Sequence, residues 1–471
     1  MAGDGGNGNG IGVDSISSLP DDILHIILSS IPTKFAIRTS VWSKRWRHVW
    51  SDTPSLSFES CEDTTSAYSV DETLARYTAH KMMSFHLYTS VILDDVPYIN
   101  RWIELAMSRN VERMSLEIHV DNYGFPDLFY INSSVKQLTL NYSDLSDMMI
   151  PRCFVSWTSL KKLSLRCCTI SDEFFAKILS GCPILEGLKL NFCHTLMVID
   201  LSKLLRLRTL EIYESNLVRG STQIVAPHIH CLNLITYAQS PSTLVDVSSL
   251  TAASLEIWYR PHQTQLKTHK QVMVLKILGK LQNVERLTLG TNLLKILSLA
   301  ELRGVLFPRF KNIKDLTLET VVSQYVTPGL VRVLHNSPGL KTLTLHIMDS
   351  STLQIINPSR IEDKYLDKYL DLHGLDSNQW WIFLDIFRQN PESKHVASLV
   401  ELVLKTTKAL EKMAVRWEGC PDGRRFEELL EMLSIISHDN NVSVALIDHL
   451  KRKQRKMSTK WDYRKATTLY D

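Results

Sequence analysis

The sequence predicts an α/β chain with three short helices at the N-terminus, a curved solenoid of stacked parallel strands through the middle, and a small α+β unit capping the C-terminus. Three observations carry this. Residues 18–50, SLPDDILHIILSSIPTKFAIRTSVWSKRWRHVW, place apolar residues at helical spacing and break at Pro32. Ten segments between 111 and 347 share one strand pattern at a nearly fixed period. Beyond residue 396, ASLVELVLKTTKALEKMAVRW reads as a helix running into one more strand at Leu410, Met413 and Val415.

The first fourteen residues, Gly-rich and lacking the basic start and apolar stretch of a signal peptide, read as a disordered leader. They precede any strand and lack a GK[ST] ending, which excludes a phosphate-cradling loop. In the helical segment, Asp21 and Asp22 sit in a first turn, where carboxylates suit the helix dipole. Leu24, Ile27, Leu28 and Ile31 form one apolar stripe, and Pro32 stops the helix. A second helix follows from Thr33. A third is expected to carry Trp42, Trp46 and Trp50 on one face, packed inward, with Lys44, Arg45 and Arg47 in solvent. Three helices this short bury only part of their apolar surface, so some of it is left for a partner.

A connector with irregular first repeats spans 59–110, and the repeats proper span 111–348. They read VERMSLEI, VKQLTLNY, LKKLSLRC, LEGLKLNF, LRTLEIYE, IHCLNLIT, AASLEIWY, VERLTLGT, IKDLTLET and LKTLTLHI, with key residues Met114, Leu138, Leu163, Leu188, Leu210, Leu232, Leu255, Leu287, Leu316 and Leu343. Successive key residues lie 24, 25, 25, 22, 22, 23, 32, 29 and 27 apart. The L-x-L alternation is that of a half-buried strand. The intervening residues return the chain to begin a parallel neighbour, as in ISDEFFAKILSGCPIL, where Asp172 suits a helix start and Gly181-Cys182-Pro183 its end. Such turns stack into a leucine-rich-repeat solenoid. A buried leucine contributes roughly 1.5–3 kcal/mol, too little for one repeat to outweigh its ordering entropy, so the array is cooperative.

A charged insertion follows at 349–396, containing RIEDKYLDKYLDLHG and an amphipathic helix in NQWWIFLDIFRQN. The cap covers 397–446. A basic tail, 447–471, holds eight Lys/Arg against three Asp, leaving 45 basic and 47 acidic residues elsewhere, while the whole 471-residue chain carries +3. A near-neutral body argues against a surface built for nucleic acid. KRKQRKMSTKW (451–461) suits a nuclear import signal, a phosphate-binding arm or a solvated end. The apolar run LLKILSLAELRGVLF is broken by Lys295, Glu301 and Arg303, so no membrane span is expected. Eight cysteines form no C-x-x-C pair and read as reduced thiols, with Cys168 and Cys193 at the recurring turn that also includes Ser143, Ser215 and Asn292. HIHC (228–231) lacks a second half-site at ligand spacing, so no metal is expected.

Residues 15–58 closely resemble an F-box: the opening Leu19-Pro20, the second apolar-Pro at Ile31-Pro32 and the SKRW-x-x-x-W ending at Ser43 to Trp50. The plant-type form is the nearest likeness. The resemblance implies docking on a Skp-family adaptor and through it a cullin, with the remaining chain selecting a protein for ubiquitylation in a cullin–RING (SCF-type) ligase. It implies adaptor contacts or their immediate support from Leu19, Pro20, Ile23, Leu24, Ile27, Pro32, Ile37, Val41 and Trp46. The "ALEKM" region is similar to the small FBD domain that closes many plant F-box/leucine-rich-repeat proteins. On the concave face, Tyr213, Ile235 and Trp258 are expected side by side on strands about 5 Å apart, with Arg166 and Lys189 in the next row, as a substrate surface. Glu211, Glu256 and Glu319 make the rows mixed in charge, so the phosphate cofactor held by hormone-receptor relatives is not expected, nor any other cofactor. No catalytic motif is present. The expected protein is a non-catalytic substrate-recognition subunit in the cytoplasm, nucleus or both. The alternative is a repeat scaffold that docks the adaptor without promoting degradation.

Overall fold

A computed structural model describes residues 18–59, 67–89, 96–119, 123–142, 153–214, 221–238, 242–258, 268–348, 360–372, 392–407, 409–418, 423–440 and 442–447. The chain forms two compact units, residues 1–196 with 203–207, and residues 197–202 with 208–471. The fold is mixed α/β, with N-terminal helices and leucine-rich-repeat strands pairing in parallel.

In the first unit, Asp21–Leu28 is helical behind Pro20, and Thr33–Arg38 behind Pro32. A 3-10 turn at Thr39–Val41 and a short helix at Trp46–Val49 follow. The three tryptophans therefore do not share one helix. The chain turns between Trp42 and Trp46, where the Ser43 hydroxyl accepts the Trp46 N–H at 3.4 Å. Leu24, Leu28, Ala36, Trp46, Val49 and Trp50 fill the small core, with Leu19, Ile31 and Ile37 packed on its rim. That core holds two indoles. Trp42 lies outside it, 63% exposed, and offers only an edge contact to Trp46 at 5.2 Å. The expected apolar stripe is split as well: Leu24 and Leu28 are buried, while Ile27 is exposed.

The Thr33 hydroxyl accepts the N–H of Ser57 at 2.8 Å and ties the second helix to the first strand. Strands Ser55–Glu59, Ser84–Thr89, Arg113–Ile118, Gln137–Tyr142, Lys162–Arg166 and Gly187–Asn191 then pair in that order, all parallel. Leu56, Phe85, Met114, Leu138, Leu163 and Leu188 occupy one register row, so the ladder begins two strands before the first clear repeat. Between strands, Ser171 caps the helix Asp172–Ser180 by accepting the N–H of Phe174. Cys168 is buried and its thiol faces the carbonyl of Arg166; Cys193 is partly buried and unoxidised.

In the second unit, Thr209–Tyr213, Cys231–Tyr237, Ala252–Trp258, Arg286–Leu289, Asp315–Thr320, Thr342–Ile347, Lys412–Trp417 and Ser443–Ile447 pair in parallel in that order. Three short strands, Val198–Asp200, Gln223–Val225 and Thr243–Asp246, form a second parallel sheet. One register differs from expectation. Leu232 pairs with Ala253, not Leu255, and Ala253 pairs with Leu287. Ala253, Leu255 and Ile257 all point inward, so a slip of two residues preserves the faces and escapes a pattern reading.

The apolar run around 293–307 supplies the helix Thr291–Leu302, buried along nearly its whole length, and Asn292 lies in its first turn instead of in a repeat-end turn. Within the charged stretch 349–396, Arg360–Leu372 is a helix that packs on it through Leu366 and Leu370, spaced one turn apart with charged neighbours outward. That part of the stretch belongs to the body of the unit. The C-terminal strands continue the repeat register, Leu343 to Met413 to Val444, with the helices Ser393–Thr406 and Gly423–Asn440 beside them. Among the described residues the final strand, Ser443–Ile447, pairs on one side only, and none of its side chains is buried. The leader, the 378–390 segment, Cys61, Cys420, Ser143, Ser215 and the basic tail lie outside the described residues.

Candidate functional site: a helical docking face and the strand faces

Two kinds of surface carry the residues singled out in the sequence. The first is the apolar exterior of the N-terminal helices. Ile23, Ile26 and Ile27 stand one helical turn apart on Asp21–Leu28 and are all exposed. Phe35, Val41 and Trp42 are exposed on the second helix and the turn after it, Val41 at 85%. The folded segment already has a full core, so these side chains are surplus to it. Arg45 donates to Asp21 at 2.5 Å, locking the last helix to the first and holding the Asp21 carboxyl below its ordinary value. Arg38 lies over the Phe35 ring, 5.6 Å from its centre.

Of the nine adaptor residues expected from sequence, Pro20, Ile23, Ile27 and Val41 are exposed, and Leu19, Pro32 and Ile37 are half-buried. Leu24 and Trp46, at 0% and 1% exposure, cannot touch a partner: they are the core that supports the face. Ile26, Phe35 and Trp42 belong to the face and escaped the sequence reading, because a helical stripe reports which residues are apolar and not which side the partner takes.

The second kind is the row of outward side chains along each ladder. In the first unit, Tyr88, Glu117, Asn141, Arg166 and Asn191 stand on adjacent strands at equivalent positions. Burial works to raise the Glu117 carboxyl, but His119, Asn141 and Arg166 together outweigh it and keep it below its ordinary value. Lys189 pairs with Ser164 and so stands two positions before the Arg166 row.

In the second unit, Tyr213 pairs with Ile235 as expected, but Ile235 pairs with Glu256, and Trp258 pairs with Tyr237. Trp258 therefore stands two positions past the Tyr213–Ile235 pair, because the Ala252–Trp258 strand is registered on Ala253. Across the later strands Glu319 is followed by His346 and Arg416, while Gly290, just past the strand Arg286–Leu289, donates its N–H to the Leu255 carbonyl at 2.9 Å. A side chain at Gly290 is impossible, since a Cβ there falls 1.4 Å from the Glu256 carboxylate. That carboxylate receives the Ile257 N–H at 3.0 Å, the Asn292 amide and the Leu293 N–H, and so caps the helix Thr291–Leu302 from a neighbouring strand.

Burial nonetheless pushes the Glu256 carboxyl up to about 8, and Glu319 adds to the rise. Its folded value exceeds the unfolded 4.5, so its contribution to stability is complete below about 4.5 and is lost as pH climbs through 8. A melting series from pH 5 to pH 9 is expected to show the natural chain losing roughly 5 °C across this window, and Glu256→Gln losing far less. Among the described residues no group of three or more His, Cys, Asp or Glu is placed to hold a metal, and no helix is long and apolar enough to cross a membrane.

A helical docking module joined to parallel repeat strands defines an F-box protein of the leucine-rich-repeat class. Comparisons with known proteins agree. The F-box domain model matches residues 16–58, and the model described as the At1g61320/AtMIF1 LRR domain matches residues 76–369. The F-box/LRR-repeat protein At3g03360 of Arabidopsis thaliana is 51% identical over 451 residues, covering 93% of this chain and 92% of the relative. The F-box/LRR-repeat protein At5g02910 of the same plant is 48% identical over 450 residues, covering 92% and 95%. The chain belongs to the plant F-box/LRR-repeat family.

Proposed function

We propose that this chain is the substrate-recognition subunit of an SCF-type ubiquitin ligase. F-box domains in general bind Skp-family adaptors, and the face formed by Ile23, Ile26, Ile27, Phe35, Val41 and Trp42 supplies the apolar area such a partner needs. The carrying observation is that these side chains are exposed on a segment whose own core is complete. The adaptor joins the chain to a cullin. A protein target in the cytoplasm or nucleus is held on the outward strand residues, Arg166 and Lys189 in the first unit or Tyr213, Ile235 and Trp258 in the second, each unit taken by itself. No residue of this chain performs bond chemistry in the scheme: it positions a target for transfer catalysed by its partners.

The deciding experiment compares cells carrying the full chain with cells carrying a chain lacking residues 15–58. Proteins captured by both forms, under proteasome block, are followed for abundance. A captured protein that accumulates severalfold when the F-box is removed is the expected result. Capture without any change in abundance overturns the degradative role and leaves a scaffold.

A further inference from the structure

Three thiols meet at the ends of two neighbouring strands of the first unit. Arg166 and Asn191 close the strands Lys162–Arg166 and Gly187–Asn191 as a registered pair, and the Cys167 N–H still donates to the Asn191 carbonyl at 2.8 Å. Cys167 and Phe192 then take the same left-handed backbone, with φ 52° and 57°. Two equal turns therefore place Cys168 and Cys193 at matching positions one strand apart. Parallel neighbours lie about 4.8 Å from each other, inside the roughly 4.4–6.8 Å that a disulfide spans between Cα atoms.

The side chains converge as well. The Cys168 sulfur lies 3.2 Å from the Arg166 carbonyl oxygen, and the Cys193 sulfur 3.7 Å from that of Leu165. A side-chain hydrogen bond joins the two thiols, and with burial it holds the Cys168 thiol well above its ordinary value. A raised thiol is a slow nucleophile toward molecules in solution. Toward a sulfur already in contact it needs no encounter, so Cys193 is the partner it can reach. Cys168 is fully buried, whereas Cys193 is half-buried and accessible. Cys167 is engaged differently: its thiol takes a hydrogen bond from the Arg166 guanidinium. Cys182 supplies the contrast, since its buried thiol donates to the Ile178 carbonyl at 3.2 Å and only burial acts on it.

We propose that Cys168 and Cys193 are a redox pair, joined by a disulfide when the chain meets hydrogen peroxide and parted again by a small dithiol. The inference stands apart from the ligase reading. Cys193, the accessible thiol, reacts first. Its sulfur attacks one peroxide oxygen, the O–O bond breaks, and the thiol proton leaves with the second oxygen as water. The product is a sulfenic acid. The Cys168 sulfur then displaces that hydroxyl: the S–S bond forms, the S–O bond breaks, and the Cys168 proton leaves with the hydroxide as a second water. Two thiols and one peroxide give one disulfide and two waters, with the sulfurs oxidised and the peroxide reduced. The link closes the loop that carries the helix Asp172–Ser180 and pins both turns beside the outward pair Arg166–Asn191. Closing a loop restricts the unfolded chain and so stabilises the folded one.

The test uses the full chain, reduced, freed of reductant and titrated with hydrogen peroxide. Remaining thiols are alkylated, and tryptic peptides are read by mass spectrometry with fragmentation. The peptide beginning at Cys167 is expected joined to the one beginning at Leu190, with the bond assigned to Cys168 and Cys193 and released by dithiothreitol. The joined species is expected to persist in Cys167→Ser and to vanish in Cys193→Ser, while Cys182 stays open to alkylation at the same dose. The linked chain is expected to melt roughly 5 °C above the reduced one. A bond assigned to Cys167, Cys193 driven on to sulfinic acid with Cys168 still a free thiol, or both thiols unchanged at a dose that consumes Cys182 overturns the pair. A linked chain that melts no higher overturns the stabilising lock.

Discussion

Ile27→Asp is expected to cut recovery of a Skp-family adaptor by about a hundredfold, some 3 kcal/mol, with the chain still folded. The side chain is exposed on the docking face and contributes little to the core beneath it. In a complex it loses its water. A carboxylate there forfeits the apolar contact and takes an unpaired charge into the interface, a combined effect of several kcal/mol. The cost to the free chain is small, about 0.3–1 kcal/mol from an anion near a helix C-terminus. Purification of the variant beside the natural chain, with circular dichroism of each, reads both quantities. Leu24→Ala supplies the contrast: its side chain is fully buried, and its loss is expected to remove about 2–5 kcal/mol of stability and so to weaken docking only by unfolding the module. Full adaptor recovery by folded Ile27→Asp sinks the docking face as drawn.

The second large effect falls far from that face. Gly329 lies in the helix Thr327–His335, pressed against Thr291–Leu302, with its N–H donated to the Ser298 hydroxyl at 2.8 Å. A Cβ there would stand 2.3 Å from the Leu294 carbonyl oxygen and 2.6 Å from the Ser298 nitrogen. These are backbone atoms and cannot swing aside, so the helices must separate. Gly329→Ala is expected to lose about 3 kcal/mol, the upper part of the overpacking range, and to lower the melting temperature of the second unit by roughly 5–10 °C. Thermal unfolding followed by tryptophan fluorescence measures this. An unchanged melting temperature would show that the helix pair does not close as tightly as described.

Much of this architecture was legible because period and face are properties of the order of apolar and polar residues. Ten copies of one apolar pattern specify stacked parallel strands, and the segment from Leu19 to Trp50 specifies the docking helices. What escaped has identifiable causes. Ala253 hid the register of its strand because Ala-x-Leu-x-Ile fits the ladder at either of two settings. Trp42 looked like its neighbours in spacing, but a turn before Trp46 put it in solvent. The Arg360–Leu372 helix carried so much charge that two well-placed leucines went unnoticed. Glu256 was read as one acidic residue among others. Its role as a cap depends on Gly290, just past the end of the next ladder strand, and no local pattern links them.

Among the described residues, the strand Ser443–Ile447 covers the sheet edge as a hem. Ser443–Ile447 turns only modest apolar bulk toward the rest of the sheet, whereas the strand it covers, Lys412–Trp417, hides Met413, Val415 and Trp417. Trimming the chain ahead of Ser443 would strip the hem and bare a greasy border with its peptide groups unsatisfied, the kind of seam along which separate molecules stitch together and precipitate.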